Sequence, residues 1–525
     1  MKKASANTGT IARSASLVSV AVMCSRVLGL VREQLMAAMF GAGTAYDAFV
    51  VAFRIPNLLR DLFAEGALSS AFVAVFTDYD STKGEAATWR LANNVIAGVG
   101  VVLGVITLIG MLCAGPLVGL IAPDFALVAD KAELTRLLTV IMFPFLIFVS
   151  MAAVVMGILN SKGRFFVPSL ASSFFNVGSI VGGVGLALVL PRFGVQAIVG
   201  MAVGTLIGGF LQLACQVPSL RSTGFRLCPV LDWSDPGLRR VFVLMLPAIV
   251  GLGATQINIF VNTNFAASCA EGSVSWLNYA FRLVQFPIGM FGVAVSIAAM
   301  PVIARSAALQ DLLAVRETYV SALTMGFCLS IPATVGLLVL AEPLIRVIFQ
   351  HGHFGPDDTT RTAEALSYYV VGLFAYSAVK ITVPVFYSLH DTKFPVIGSF
   401  LAVGANILII TLTVGVMQHK AIALGTSCAM IGNFLFLSLV LYRRLGGYPL
   451  RYLGQGVVKV CIASGLMWLW LHLAKVWLTA CMVSDLGVLA FLLATGTVVY
   501  GGALYWMRLH ELTVLLDKVR VRLGR

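Results

Sequence analysis

Apolar runs of twenty or more residues recur from one end of this chain to the other, separated by short polar loops. About 20 apolar residues are what a helix needs to cross the hydrocarbon core of a bilayer. Inside that core a helix satisfies every backbone N–H and C=O within its own segment. Of 525 residues, 59% are hydrophobic and only 11% charged, whereas a soluble protein carries about 25% charged residues. The chain therefore reads as an all-α polytopic membrane protein. Spans are expected near 12–40, 44–77, 91–115, 135–159, 167–190, 195–218, 241–266, 273–303, 318–340, 362–388, 395–416, 421–442, 453–475 and 485–507, about fourteen in all. The long first, second and eighth spans contain Gly29, Pro56 and Pro287, where each is expected to bend.

The segment Met1 to Thr10 is polar and the first apolar run has no small-residue cleavage site, so the first span is expected to stay in the mature protein. The nine cysteines are scattered singly and read as small core residues rather than a disulfide framework or metal site. Lysine and arginine concentrate in alternate loops, which fixes orientation. With the N-terminus cytoplasmic, the inner segments hold Lys2, Lys3, Arg13, Lys83, Arg90, Lys162, Arg164, Arg221, Arg226, Arg239, Arg240, Arg305, Arg316, Lys393, Arg443, Arg444 and Arg451, and the C-terminal tail adds Arg508, Lys518, Arg520, Arg522 and Arg525. The outer segments hold only Lys131, Arg136, Arg192, Arg346, Arg361, Lys420 and Lys475. Both termini are expected inside. The net charge of +13 then faces the membrane surface and does not argue for nucleic acid.

A duplication is visible. The stretch AGPLVGLI from Ala114 matches AEPLIRVI from Ala341, AFR at Ala52 matches AFR at Ala280, and Arg164-Phe165 matches Lys393-Phe394, all at offsets of 227 to 229. An even number of spans per repeat preserves orientation, so two parallel six-helix lobes are expected, 1–225 and 226–448, related by an axis along the membrane normal. Two additional helices and a basic cytoplasmic tail fill 449–525. This is a transporter architecture. An enzyme is disfavoured, because there is no HExxH, no Walker loop and no DxD pair in a cytoplasmic loop.

Charges inside the spans are the chain's least expected feature, since each costs at least about 2.5–3.5 kcal/mol at the bilayer centre. The first span holds Arg26 and Arg32 in SRVLGLVRE; the second holds Asp47, Arg54, Arg60, Asp61 and Glu65; Arg282 and Lys380 lie in later spans. Snorkelling explains cations near an interface. Ion pairing explains others: Asp61 or Glu65 with Arg60, and Asp47 with Arg32. Arg26, Arg54, Arg282 and Lys380 remain as an excess that requires a water-filled cavity or an anionic ligand. The arginine fork suits phosphate oxygens, so a diphosphate fits this excess better than a cation. Residues six apart do not share a face of a straight helix, and a bend at Gly29 is expected to turn Arg26 and Arg32 toward one cavity.

Taken together, SRVLGLVRE, FGAGTAYDAF, RIPNLLRDLFAEGALSSAFVAVF and EGSVSWLNYAFRL resemble the MurJ (MviN) family, bacterial lipid II flippases of the multidrug/oligosaccharidyl-lipid/polysaccharide exporter superfamily. The resemblance implies an inner-membrane flippase that moves the undecaprenyl-diphosphate-linked peptidoglycan precursor from the cytoplasmic to the periplasmic leaflet by alternating access. It implies no cofactor and no ATP site, with drive from the membrane potential or an ion gradient. It places the polyprenyl tail in lipid beside the last two helices and leaves room for cell-wall synthesis machinery as a partner. The family's essential arginines fall on Arg26, Arg32, Arg60 and Arg282, its essential aspartate on Asp47 and its acid in FAEGA on Glu65. The candidate substrate contacts are thus Arg26, Arg32, Arg54, Arg60, Arg282, Lys380 and Ser275, and the candidate gate is Asp47, Arg32 and Glu65. Phe281 and Gln285 stand where some relatives carry acids, so Arg282 lacks two possible partners. The alternative reading is an exporter of another polyprenyl-linked glycan or a small drug.

Overall fold

In the computed structural model, which describes residues 2–62, 68–480 and 484–509, the apolar runs fold as helices, and no strand forms among the described residues. Packing divides the chain into two units, Met1–Gly272 and Ser273–Arg525. The first contains α1 (Lys2–Phe40), α2 (Thr44–Arg60), α3 (Ser69–Thr82), α4 (Glu85–Leu112), α5 (Ala114–Ile121), α6 (Lys131–Met142), α7 (Phe145–Ser161), α8 (Phe166–Val189), α9 (Ala197–Ala214), α10 (Val217–Arg221) and α11 (Pro236–Ala267). The second contains α12 (Ser273–Pro287), α13 (Ala294–Ala308), α14 (Leu312–Phe349), α15 (Pro356–Val370), α16 (Leu373–Ser388), α17 (Lys393–Met417), α18 (His419–Arg444), α19 (Leu450–Ala480) and α20 (Asp485–Trp506). Lys518, Arg520, Arg522 and Arg525 of the expected tail lie outside the described residues.

Ten helical segments among the described residues are long and apolar enough to cross a membrane, or twelve if each of two bent pairs is one span. The protein is thus a multi-pass membrane protein. Neither α1 nor α2 is among these segments, and these two helices carry Arg26, Arg32, Asp47 and Arg54. The breaks fall partly as expected. Pro287 is followed by a π-helical turn over Ile288–Val293, whereas α2 runs through Pro56 and α1 runs through Gly29 without interruption.

The repeat is carried by the order of elements. Helices α12, α13, α14, α15, α16 and α17 begin 225 to 229 residues after α2, α3, α4, α6, α7 and α8 respectively. Packing draws its line elsewhere: α11 joins the first unit, where Leu238, Val241 and Met245 meet Phe72, Phe76, Leu91 and Val95. The last two helices dock on α14 through Leu340, Met467, Leu471, Leu478, Leu489 and Leu492.

Lipid tails are as apolar as leucine, so helices in a bilayer associate by close packing at small residues rather than by the hydrophobic effect. The pair α8–α9 is built this way. A Cβ on Gly204 would lie 2.4 Å from the Gly183 Cα, one on Gly178 would lie 2.8 Å from the Gly208 Cα, and one on Gly200 would lie 2.8 Å from the Ala187 Cα. Its counterpart α17–α18 instead sets asparagines over glycines: Cβ atoms on Gly398 and Gly425 would lie 2.5 and 2.8 Å from Asn433 Oδ1 and Asn406 Oδ1. Gly204→Ala is expected to destabilise the protein by on the order of 1–3 kcal/mol, the usual cost of overpacking. Gly104→Ala, which meets nothing within 4 Å, is the control, and thermal unfolding of the purified proteins reads both.

Candidate functional site

Because α1 continues through Gly29 without a break, Arg26 and Arg32 project about 120° apart on ideal helical geometry. Gly29 lies beside a neighbouring helix. Asn176 of α8 donates its Nδ2 to the Ser25 carbonyl at 3.1 Å, and an added Cβ on Gly29 would sit 3.8 Å from that same nitrogen, an ordinary van der Waals contact that leaves room for an alanine. Arg26 is exposed. Arg32 is half-buried, with its guanidinium 5.3 Å from the Phe175 ring centroid and 3.0 Å from Glu33 Oε1.

Glu33 is 5% exposed, and its second oxygen accepts from the Tyr46 hydroxyl at 2.7 Å. From Tyr46 a row of rings returns to the arginine: Phe49 at 6.2 Å, then Phe53 at 6.3 Å, Phe145 at 5.5 Å and Phe175 at 5.5 Å. Arg32, Glu33 and five aromatic residues thus close a circuit through α1, α2, α7 and α8.

The start of α2 is held from outside the helix. Its N-cap is Gly43, which offers no side chain. The Glu271 carboxylate substitutes, accepting from the Thr44 N–H at 2.8 Å and from the Thr44 hydroxyl. A negative group at a helix N-terminus also complements the helix dipole. The Thr44 hydroxyl holds the Glu271 carboxyl below the usual carboxylate range. Its folded pKa lies below the unfolded one, so this contribution is present at neutral pH and is lost as pH falls through the folded value.

One turn on, Asp47 Oδ2 accepts from Lys131 Nζ at 2.9 Å and from the Gly272 N–H at 2.9 Å. The Asp47 and Lys131 side chains are 2% and 3% exposed, and the ammonium also lies 4.3 Å from the Phe125 ring. The Arg32–Asp47 pair expected from sequence is therefore replaced by two others. Arg32 meets Glu33, its neighbour, and Asp47 meets Lys131, 84 residues away. Lys131 reads in sequence as a loop residue before a span, yet it opens α6 and is buried.

Arg60 bonds Asp61 through Nη2 at 2.8 Å and Nε at 3.2 Å, one of its two expected partners. Glu65 lies outside the described residues, and so does its part in a gate. Arg54 is half-buried on α2.

In the second unit, Arg282 on α12 and Lys380 on α16 are both exposed. Ser275, also a candidate contact, is fully buried, on the α12 face that also buries Trp276 and Tyr279. Phe281 takes the place of an acid beside Arg282 and packs its ring 5.3 Å from Tyr369 and 6.4 Å from Tyr376. Ring packing anchors α12 there, where an ion pair would otherwise do so.

Removing one partner of a buried ion pair strands the other, at a cost of about 3–5 kcal/mol. Lys131→Met is expected to destabilise by that order in thermal unfolding, and Asp47→Asn with Lys131→Met to recover most of it. Gly29→Ala is expected to stay folded with α1 about 0.5–1 kcal/mol more stable. Growth supported by that variant as sole copy would show that α1 works as an unbroken rod.

Comparison with known proteins supplies the context. A family model described as lipid II flippase MurJ matches residues 36–497. A probable lipid II flippase MurJ of Vibrio cholerae is 36% identical over 432 residues, 81% of this chain and 82% of the relative. The lipid II flippase MurJ of Burkholderia cenocepacia is 32% identical over 513 residues, 94% of this chain and 97% of the relative. A solved lipid II flippase MurJ in an inward closed conformation superposes with a TM-score of 0.78 at 25% identity, covering 97% of this chain and all of the other. An inward-facing multidrug resistance MATE transporter of the MOP superfamily shares the fold, with a TM-score of 0.61 at 16% identity over 82% of this chain and 94% of its own.

Proposed function

The chain belongs to the lipid II flippase MurJ family, and on that premise we propose that it carries lipid II from the cytoplasmic to the periplasmic leaflet of the bacterial inner membrane. One observation supports a phosphate-bearing cargo most directly. Arg282 and Lys380 are exposed side chains on helices of a membrane protein. A charge at span depth is too costly to face hydrocarbon, so these groups face water and whatever anion enters it. An arginine fork holds two phosphate oxygens at once and stays charged at any physiological pH. The diphosphate of lipid II is such an anion, while its polyprenyl tail has no reason to leave the lipid.

Transport by alternating access needs a closure on each side in turn. In this reading the outer closure is the tether of Asp47 to Lys131 and Gly272, assisted by Glu271 on Thr44. Releasing Asp47 uncovers a buried lysine, which a diphosphate passing outward can engage. Arg26 is the inner contact for the incoming headgroup. The chain has no Walker sequence, so the drive is the membrane potential or an ion gradient. Each charge carried through the field is worth ~2.3 kcal/mol per 100 mV. A cation-drug exporter would need acids facing its path, whereas Glu33 and Asp47 are spent on Tyr46, Arg32 and Lys131. The protein acts in this reading as a transporter, not an enzyme.

Depleting the protein and measuring which polyprenyl-linked precursor builds up on the cytoplasmic face tests the cargo; accumulation of a lipid other than lipid II refutes it. Arg282→Ala, inserted at normal level, is expected to abolish growth as sole flippase, and Arg282→Lys to impair it, because an ammonium lacks the bidentate geometry. Full growth with Arg282→Ala would remove this residue from the site.

A further inference from the structure

The seam that docks α19 on its neighbours is an apolar stripe of Met467, Leu471, Ala474 and Leu478. One position further round the helix runs a second stripe of different chemistry: Trp468, His472, Lys475 and Val476. These residues stay out of the seam. Trp468, His472 and Val476 are exposed and Lys475 is half-buried. With Leu338 and Val339 of α14 they line a groove of about 480 Å³, within the usual size range of small-molecule sites. The Trp468 and His472 rings lie nearly parallel, 13° apart with centroids separated by 5.6 Å, which fixes the plane of the imidazole.

Lys475 lies about 8 Å from the end of α19 by helical rise, at the level where indole rings collect between lipid and water. A lysine that merely snorkels to the headgroups needs neither a groove nor an oriented imidazole. Lys475 and His472, three residues apart on α19, both line the groove, with no carboxylate among its described lining residues. Both groups donate to phosphate oxygens, and the ammonium favours an anion over a zwitterion. Leu338, Val339 and Val476 supply an apolar wall for the start of an acyl chain.

We propose that this groove is a binding site for an anionic phospholipid, with Lys475 and His472 on the headgroup phosphate, Trp468 beside the glycerol and one acyl chain along α14. The site is separate from the arginines assigned to the transported diphosphate. The test uses the full chain in detergent, offered equal amounts of phosphatidylglycerol and phosphatidylcholine with the same acyl chains, with bound lipid read by native mass spectrometry. The wild type is expected to retain phosphatidylglycerol about fivefold over phosphatidylcholine, the factor carried by one lysine at an anionic surface. His472→Ala with Lys475→Ala is expected to retain both lipids alike, with an unchanged thermal transition, and Lys475→Arg to keep the preference. The milder pair His472→Gln with Lys475→Gln reads the same effect if the alanine pair is unstable. A wild type without preference, or a folded double variant that keeps it in full, overturns the proposal. Undecaprenyl phosphate at equal concentration is expected to leave the preference in place. Displacement of phosphatidylglycerol by it from the wild type would give the groove to the polyprenyl lipid and likewise overturn the proposal.

Discussion

A charge inside the bilayer must be matched by a partner, by water or by a ligand, and the first unit is arranged around that requirement. Its buried acids are matched by protein. Glu33 holds Arg32 and Tyr46, and Asp47 holds Lys131 and the Gly272 N–H. Each match joins separate elements: Glu33 ties α1 to α2, and Asp47 ties α2 to α6 and to the loop that ends the unit. A buried pair of this kind adds little net stability, because desolvation offsets its attraction. Its value lies in position. It fixes which helices meet, and it makes separation costly unless another charge arrives to take the vacated place.

Arg26, Arg282 and Lys380 have exposed side chains, while Glu33, Asp47 and Glu271 are engaged by cations, hydroxyls or backbone N–H groups. In the proposed reading, exposed cations suit a diphosphate and repel a cationic cargo. The proposed cycle also depends on stiff supports. Glycine on glycine in α8–α9, and asparagine over glycine in α17–α18, allow backbone approaches that no larger side chain would permit. Helix pairs packed this closely move as units, which rigid-body rocking requires.

Much of this was legible in the sequence. The period and length of the apolar runs specified helices, and three short matches at one offset disclosed a duplication that recurs in the order of elements. Arg60 and Asp61, adjacent in sequence, were paired correctly because local partners need no fold. The partner of Asp47 was not legible. Lys131 lies 84 residues away, and a lysine opening a helix reads as a loop charge until the packing is known. Ser275 shows a further limit: seven residues from Arg282, it lies on nearly the same side of α12, yet it is buried while Arg282 is exposed, and that difference comes from packing. Gly29 was read as a hinge because glycine permits one, whereas the helix continues through it and Asn176 of α8 bonds the backbone one turn earlier.

The unbroken α1 bears on how the two arginines of SRVLGLVRE divide their work. They stand about 9 Å apart along the helix axis and about 120° apart around it, so a single diphosphate cannot be gripped by both forks from one side. Arg32 is already engaged by Glu33 and the Phe175 ring, with the aromatic row behind it. Arg26 has the exposure that an entering headgroup needs. In the proposed cycle the two therefore act at different stages: Arg26 receives the anion, and Arg32 stays on Glu33, which ties α1 to α2, until Glu33 lets it go. Glu33 sits in that same nine-residue stretch, and its tie to Tyr46 places it one residue from Asp47. In the proposed cycle a change at the outer tether reaches Arg32 through two hydrogen bonds, Tyr46 to Glu33 and Arg32 to Glu33, which link the short motif to the start of α2.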